Sequence, residues 1–339
     1  MLCQGLFLKK IKINVGTFKK IFAISPVTVI LTGKIQEEIV LQKMLIQSDN
    51  LQITRLHYPG STVAPDWVRK LFGAPTACGW GRSGKIFLQG WERYYQELFE
   101  QTADDSCCDF IYAAQWDKNA AARMWFGYSR SGKIGNFGNV LTLPEFRRRG
   151  IMRKLLEQCT ADFFAGDALI LLCEASAAAA PAYEQFGFKR VSKQNPSCMA
   201  LMKPEVSSLE DLLQHAYGTP GNTVIRPGRR SDRFELDKLL LSEPRFNTPR
   251  NCRNVLVNFI PDYMTAFQRV KPGSSALSVI ESATGYAAGY AYLERLLPDT
   301  SALVYTVHPD FAGCCDELFA HVIKSLDNEV GNIIYCRNY

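Results

Sequence analysis

Between residues 51 and 203 the chain alternates short apolar runs with polar turns, at spacings that change from strand-like to helix-like and back. LQITRLH (51–57) has the two-residue period of a strand, Pro59-Gly60 marks a turn, and 65–72 has helical spacing. In LQGWERYYQELFEQ the same spacing sets Trp91, Tyr95, Leu98 and Phe99 on one side of a second helix. DFIYAAQW and AARMWFGYSR read as strands joined by the turn Asp117-Lys118-Asn119. The stretch 138–164 then predicts a buried strand (Val140, Leu141, Thr142, Leu143) and a turn at Pro144-Glu145. A basic loop, Arg147-Arg148-Arg149-Gly150, follows, and then a helix with Ile151, Leu155, Leu156, Cys159 and Phe163 on one face. The continuous apolar run 168–173 predicts a central strand, followed by a helix carrying Tyr183 and a hairpin through Met199.

The same order returns later in the chain. After a linker with a short helix, SLEDLLQHAYG, a second unit opens at TVIRPG. It continues through the helix RFELDKLLL, the apolar segment NVLVNFIPDYMTAF and the strands ALSVIES and GYAAGYAYLE, to SALVYTVHPDFAGCCDELFAHVIKSL. VLTLPEF (140–146) and VYTVHPDF (304–311) correspond, but the loop that follows is RRRGIM in the first copy and AGCCDE in the second. Tyr183 lies 36 residues after Arg147, and the same spacing from Ala312 passes residue 339. The second copy is therefore expected to end near a fifth strand, NIIYCRNY, without a tyrosine helix. The expected organisation is an N-terminal extension (1–50), a first domain (51–203), a linker (204–222) and a shortened second copy (223–339).

The chemistry concentrates at the basic loop. Where a loop opens a helix, the first backbone N–H groups have no partner inside the helix and the dipole adds positive charge, so an anion can sit there. Gly150 lets the main chain come close. In the second copy, Asp316 and Glu317 stand where such an anion would approach, so repulsion replaces attraction.

These residues resemble the GNAT superfamily of acyl-CoA-dependent N-acyltransferases, whose signature is Q/R-x-x-G-x-G/A at a strand-loop-helix junction. Arg147, Gly150 and Met152 occupy the three signature positions, with Met replacing the small third residue. ASAAAAPAYEQFGF is similar to the family's N-x-x-A-x-x-L-Y-x-x-x-G-F element. Ala179, Tyr183, Gly187 and Phe188 are in register, Ser176 stands for the asparagine and Ala182 for the leucine.

The resemblance implies an α/β (α+β) fold, a mixed, mostly antiparallel sheet flanked by helices, present as two similar units in tandem. It implies acetyl-CoA wedged between a splayed fourth and fifth strand, with the backbone of Leu141, Thr142 and Leu143 holding the pantetheine arm. The N–H groups of Arg148, Arg149, Gly150, Ile151, Met152 and Arg153 would receive the pyrophosphate beside Arg147, and Ser176 would make a further cofactor contact. Tyr183 would protonate the departing thiolate, a task within reach of an ordinary phenol. Some members place a basic carboxylate on the fourth strand; this chain offers Asn136 and Asn139 there, with Glu174 reachable through water. Arg123, Trp125 and Tyr128 are candidates to line the acceptor pocket. The expected activity is transfer of an acetyl group to an amine of a small molecule or peptide, from one site in the first domain. The missing base and the degenerate second copy motivate an alternative, a non-catalytic acyl-CoA sensor or scaffold.

Composition narrows the partners. The 339 residues are 47% hydrophobic and 12% aromatic, as in a globular chain. The net charge of +6 is concentrated in residues 1–50, where seven lysines outnumber three acids, so no long basic face remains for nucleic acid. Eleven cysteines without a C-x-x-C pair fit a reducing, cytoplasmic setting, and His57, His215, His308 and His321 lack ligand spacing, so no metal is expected. The apolar run 21–33 is interrupted by Pro26, lacks an A-x-A site and is too short to span a bilayer, so no membrane partner is expected. Gly79 to Lys85 satisfies G-x-x-x-x-G-K, but Ile86 replaces the required hydroxyl residue and GAPTAC before it reads as a turn. The same RSGKI string recurs at 130–134 between two strands, where it is a plain turn.

Overall fold

The computed structural model describes residues 50–60, 63–73, 92–192, 196–218, 221–240, 263–326 and 331–337, with two short strands at 28–29 and 46–47. Trp91, the Gly79–Lys85 motif and nearly all of the N-terminal extension lie outside the described residues. In the first unit the strands are β1 (Thr28–Val29), β2 (Ile46–Gln47), β3 (Leu51–Tyr58), β4 (Cys107–Trp116), β5 (Asn119–Ser129), β6 (Ile134–Thr142), β7 (Ile170–Glu174), β8 (Lys189–Arg190) and β9 (Cys198–Met202). They form one sheet in the order β1-β2-β3-β4-β5-β6-β7-β9-β8, antiparallel except where β6 meets β7. Its helices are α1 (Asp66–Gly73), α2 (92–99), α3 (Ile151–Ala165) and α4 (Ala180–Glu184).

β4 and β5 read as nearly unbroken apolar runs because both faces of the sheet are covered. On one face Phe110, Tyr112, Met124, Phe126, Leu171 and Cys173 cluster with Leu155, Leu156, Cys159 and Phe163 of α3. A bidentate ion pair from Arg55 on β3 to Asp162 on α3, 2.6 and 2.8 Å, fixes the helix there, and the Tyr112 hydroxyl donates to the same carboxylate at 2.6 Å. On the other face Ile111, Trp125, Ile134 and Leu172 share a cluster with Leu71 and Phe72 of α1, with Tyr94, Tyr95 and Leu98 of α2, and with the core of the second unit.

α5 (Leu209–Tyr217) starts at Ser208, whose Oγ accepts from the Asp211 N–H at 3.0 Å. It packs into the second unit: the Tyr217 hydroxyl donates to the Ala287 carbonyl at 3.3 Å, and its ring lies 4.8 Å from that of His308. The second sheet runs β10 (Val224–Pro227), β11 (Ser275–Glu281), β12 (Ala287–Leu297), β13 (Thr300–Val307), β14 (Asn332–Arg337), in that order, with only the last pairing parallel. The helical segment α6 (230–240) winds as a π-helix over Glu235–Leu239, and α7 (Tyr263–Arg269) and α8 (Cys315–Lys324) complete the unit. In each unit a strand, a 3₁₀ turn after proline, a helix and a parallel strand follow one another, β6 to β7 and β13 to β14. Two mostly antiparallel sheets flanked by helices are thus present, as the sequence predicts. Among the described residues no helix is long and apolar enough to cross a membrane.

α6 joins the two units. Phe234 stacks on Trp125 with ring centroids 6.4 Å apart, the Arg230 guanidinium lies 3.8 Å from the Tyr94 ring centroid and pairs with Glu97, and the Ser129 hydroxyl donates to Glu235 at 2.8 Å.

Candidate functional site

β6 and β7 face each other at only three positions, Ile134 with Ile170, Gly135 with Leu171 and Asn136 with Leu172. β7 continues through Cys173 and Glu174 paired to β9 alone, while β6 continues to Thr142 paired to β5 alone. The strands therefore part after Asn136 and leave a wedge between them. Two glycines record the change. A Cβ on Gly135, in the closed part, would lie 2.5 Å from a Leu171 methyl and 3.0 Å from two backbone oxygens, whereas one on Gly138 would meet nothing within 4 Å. A register shift between Arg123 and Trp125 gives β6 an extra residue, and Asn139 takes φ 50° in that bulge. Val140 to Leu143, read from the sequence as a buried strand, are half-buried, because the neighbour on one side has turned away.

The wedge ends at the basic loop. Arg148 and Gly150 both have positive φ, 61° and 75°, which turns successive N–H groups to one side of the chain. The Arg147 N–H donates to the Pro144 carbonyl at 3.3 Å and the Lys154 N–H to the Gly150 carbonyl at 3.2 Å. Between them, the six N–H groups from Arg148 to Arg153 have no partner among the described residues. Two of the loop's arginine side chains are held by backbone carbonyls. Arg147 Nε donates to the Thr142 carbonyl at 3.1 Å, Arg149 donates to the Glu145 carbonyl at 3.2 Å and its guanidinium lies 5.0 Å from the Trp116 ring centroid. Arg147 to Gly150 are exposed, as is Arg153, which reaches Glu157 at 3.4 Å; Ile151 is buried in the α3 core and Met152 half-buried beside it.

Tyr183 lies under the wedge. It is 5% exposed, and its ring meets Phe137 of β6 edge-on at 5.1 Å and Phe188 at 5.7 Å. Burial pushes its pKa up, reinforced by the Cys173 and Cys159 thiols, so the phenol is a proton donor and not a phenolate. Its hydroxyl has no hydrogen-bond partner among the described residues and is not sealed from solvent. Ser176 is exposed, and its Oγ accepts from the Ala179 N–H at 3.3 Å at the start of the α4 turn.

The three acceptor-pocket candidates do not converge. Arg123 and Trp125 are buried on the face of α1 and α2, where the Arg123 guanidinium donates to the Leu71 carbonyl, and burial lowers its pKa to about 10. Tyr128 lies on the α3 face, beside Cys108. Glu174 is exposed at the end of β7. Asn136 is 2% exposed, and both its amide oxygen and its amide nitrogen are sealed from solvent without a hydrogen-bond partner among the described residues.

Sequence reading missed a buried polar layer on the same face. Asp109 Oδ1 accepts from the Tyr94 hydroxyl and from Trp125 Nε1, each at 2.7 Å, and its pKa is raised by burial against the pull of Arg230. Its only trace in the sequence is Gly127, where a Cβ would sit 2.4 Å from that oxygen.

Among the described residues the second unit lacks each part of this arrangement. β13 and β14 pair at six positions, Thr300 to Tyr305 against Asn332 to Arg337, so the strands stay closed where β6 and β7 part. Asp316 and Glu317 occupy the first turn of α8, and His308 Nδ1 accepts the Asp310 N–H at 3.2 Å. Among the described residues no group of three or more His, Cys, Asp or Glu could hold a metal ion.

Residues 107–190, from β4 to β8, match the family model for the acetyltransferase (GNAT) domain. Comparison with curated proteins returns no match. Among solved structures, a tandem GNAT protein from the clavulanic acid biosynthesis pathway is 13% identical, covering 84% of this chain and 89% of that one at a TM-score of 0.34. The ribosomal-protein-S18-alanine N-acetyltransferase from Escherichia coli is 16% identical over 44% of this chain and 94% of its own, at 0.29. A GNAT family acetyltransferase from Brucella melitensis, in complex with acetyl-CoA, is 18% identical over 47% and 92%, at 0.32. At these scores none of the three bears on the substrate. The wedge, the open N–H row and Tyr183 all fall inside residues 107–190, the span that matches the acetyltransferase (GNAT) domain.

Proposed function

We propose that the first unit moves an acetyl group from acetyl-CoA directly to an amine. The observation that carries this reading is the wedge between β6 and β7, which leads to six consecutive N–H groups without a partner among the described residues. A diphosphate fits such a row, since each N–H offers a donor and the helix dipole favours negative charge. Arg147, Arg148, Arg149 and Arg153 add mobile charge around it. The N–H groups of Arg148 to Arg153 would hold the pyrophosphate, and the half-buried backbone of Leu141, Thr142 and Leu143 would pair with the amide-bearing arm in place of the missing strand. Ser176 has its Oγ committed to the α4 turn and would contribute through its exposed face.

At the narrow end of the wedge a neutral amine attacks the thioester carbonyl. The nitrogen–carbon bond forms as the carbon–sulfur bond breaks, the nitrogen loses a proton, and Tyr183 delivers a proton to the departing thiolate. The buried phenol is suited to this because it stays protonated at neutral pH. The second unit keeps its strands closed and places acids at its helix start, so it supplies support and one active site serves the chain.

A second reading, an acyl-CoA sensor or scaffold, is favoured by one observation: the position for a strand-borne base holds Asn136. Release of CoA thiol from acetyl-CoA across a panel of primary amines separates the two. Thiol release that depends on an amine supports transfer. Tight binding of acetyl-CoA with no amine-dependent release supports the sensor.

A further inference from the structure

Asn136 is the last residue of β6 to face β7, so it stands at the point where the wedge closes. A strand turns successive side chains to opposite faces. Phe137 packs with Tyr183 on the α3 face; Ile134, of the same parity as Asn136, packs on the face of α1, α2 and α6. A group held at the narrow end of the wedge therefore has Tyr183 on one side and Asn136 on the other.

The amide of Asn136 carries a donor and an acceptor, and both are buried without a partner among the described residues. Gly127, directly across on β5, leaves room that the Asp109 carboxylate fills, and the open side is at Gly138, two residues on along β6, where an added Cβ would meet nothing within 4 Å. Several other polar groups on this face already have partners. Asp109 holds Tyr94 and Trp125 at 2.7 Å, Glu235 holds Ser129 at 2.8 Å, Asp237 accepts the Tyr263 N–H at 3.1 Å, and the Arg233 guanidinium lies 4.7 Å from the Tyr94 ring centroid. Tyr95 is buried in the same cluster.

We infer that Asn136 receives the attacking amine. Its Oδ1 accepts one N–H of the acceptor and aims the nitrogen lone pair at the thioester carbonyl, on the side opposite Tyr183. This rests on the acyl-transfer reading above and adds the acceptor's side of the site and the form in which the acceptor reacts. A carboxamide cannot take a proton, so the acceptor must arrive as the free amine and the proton lost on attack leaves to solvent. The fitting substrate is a primary amine whose nitrogen is partly neutral at working pH, or one that loses its proton on entering this buried place.

The test uses the full chain, acetyl-CoA and the amine that wild type turns over best. Asn136→Leu keeps the volume and removes both polar atoms, so kcat/KM for the amine falls roughly tenfold while calorimetric affinity for acetyl-CoA stays within about twofold and thermal stability does not fall. Wild-type kcat/KM rises with pH along the ionisation of the amine alone. Asn136→Asp supplies a proton acceptor and moves the acid limb of that profile to lower pH. Wild-type kcat/KM in Asn136→Leu, or a loss confined to acetyl-CoA affinity, overturns the assignment of Asn136 and leaves acyl transfer standing. Absence of amine-dependent thiol release in wild type overturns both.

Discussion

Asn136 and Leu172 are the last residues at which β6 and β7 stand side by side, and the polar residue of that pair is the one whose amide is buried without a partner. The separation of the strands beyond this pair is set locally. Gly135 permits close approach of β7 just before it, and the bulge at Asn139 turns the rest of β6 just after.

The two glycines on β6 should respond differently to one added methyl. Gly135→Ala forces backbone to move and should cost about 1–3 kcal/mol, the range for overpacking a filled site. Gly138→Ala meets open space and should change stability by less than about 1 kcal/mol, the scale of strand propensity. Urea unfolding of the two variants checks the contrast, and equal losses would mean that the wedge is not where the strand pairing ends.

Tyr183→Phe removes one oxygen and leaves the packing against Phe137 and Phe188. Turnover should fall by about two orders of magnitude, the lower end of what a positioned acid contributes, with acetyl-CoA affinity and melting temperature close to wild type. A phenylalanine variant with undiminished kcat would remove Tyr183 from the chemistry.

Arg230 of the second unit is buried against Tyr94 and paired with Glu97 of the first. Arg230→Met keeps much of the apolar stem but strands Glu97, which retains Arg93 at 3.1 Å and some solvent. The expected loss is about 3 kcal/mol, the low end for breaking a buried pair. Because one apolar cluster runs through both units, circular dichroism and tryptophan fluorescence should report a single unfolding transition, before and after the substitution. Two resolved transitions in wild type would mean that the units fold independently.

Glu235 is buried at the same junction, and its pKa is pushed up from 4.5 to about 8, chiefly by burial and then by Asp232, against the Ser129 hydroxyl and Arg226. The folded state therefore holds this proton more tightly than the unfolded chain. Stability from Glu235 is full below about pH 4.5, declines as pH rises toward 8 and is lost above that. Glu235→Gln can still accept the Ser129 hydroxyl bond and does not titrate, so wild type minus variant should fall between pH 5 and 8 in denaturation experiments. A flat difference would mean that the carboxyl ionises as freely in the folded chain as in the unfolded one.

Much of the fold follows from short-range pattern. The apolar runs of β4, β5 and β7, the turn at Asp117-Lys118 and the loop-helix junction at Gly150 each satisfy local rules of burial and backbone conformation. The repeat of VLTLPEF as VYTVHPDF marks a second strand-turn-helix. What the sequence does not carry is the junction between the units: Glu235 and Ser129 are 106 residues apart, Arg230 and Glu97 are 133 apart, and no periodicity links them. Asn136 was legible as a residue standing where a base is expected; its isolation was not, since that depends on Gly127 across the sheet and on α6 closing over the face. Arg123, Trp125 and Tyr128 are neighbours in sequence that alternate across the sheet, which is why a common pocket fails.

The most direct test of the central claim is calorimetric titration of acetyl-CoA into wild type and into the double variant Arg149→Glu, Gly150→Glu. Wild type should give saturable heat and the variant should lose binding, because two carboxylates then stand at the open N–H row where the diphosphate would sit, with circular dichroism unchanged. Undiminished binding in a folded variant would contradict the claim, since acetyl-CoA would then be held somewhere other than the mouth of α3.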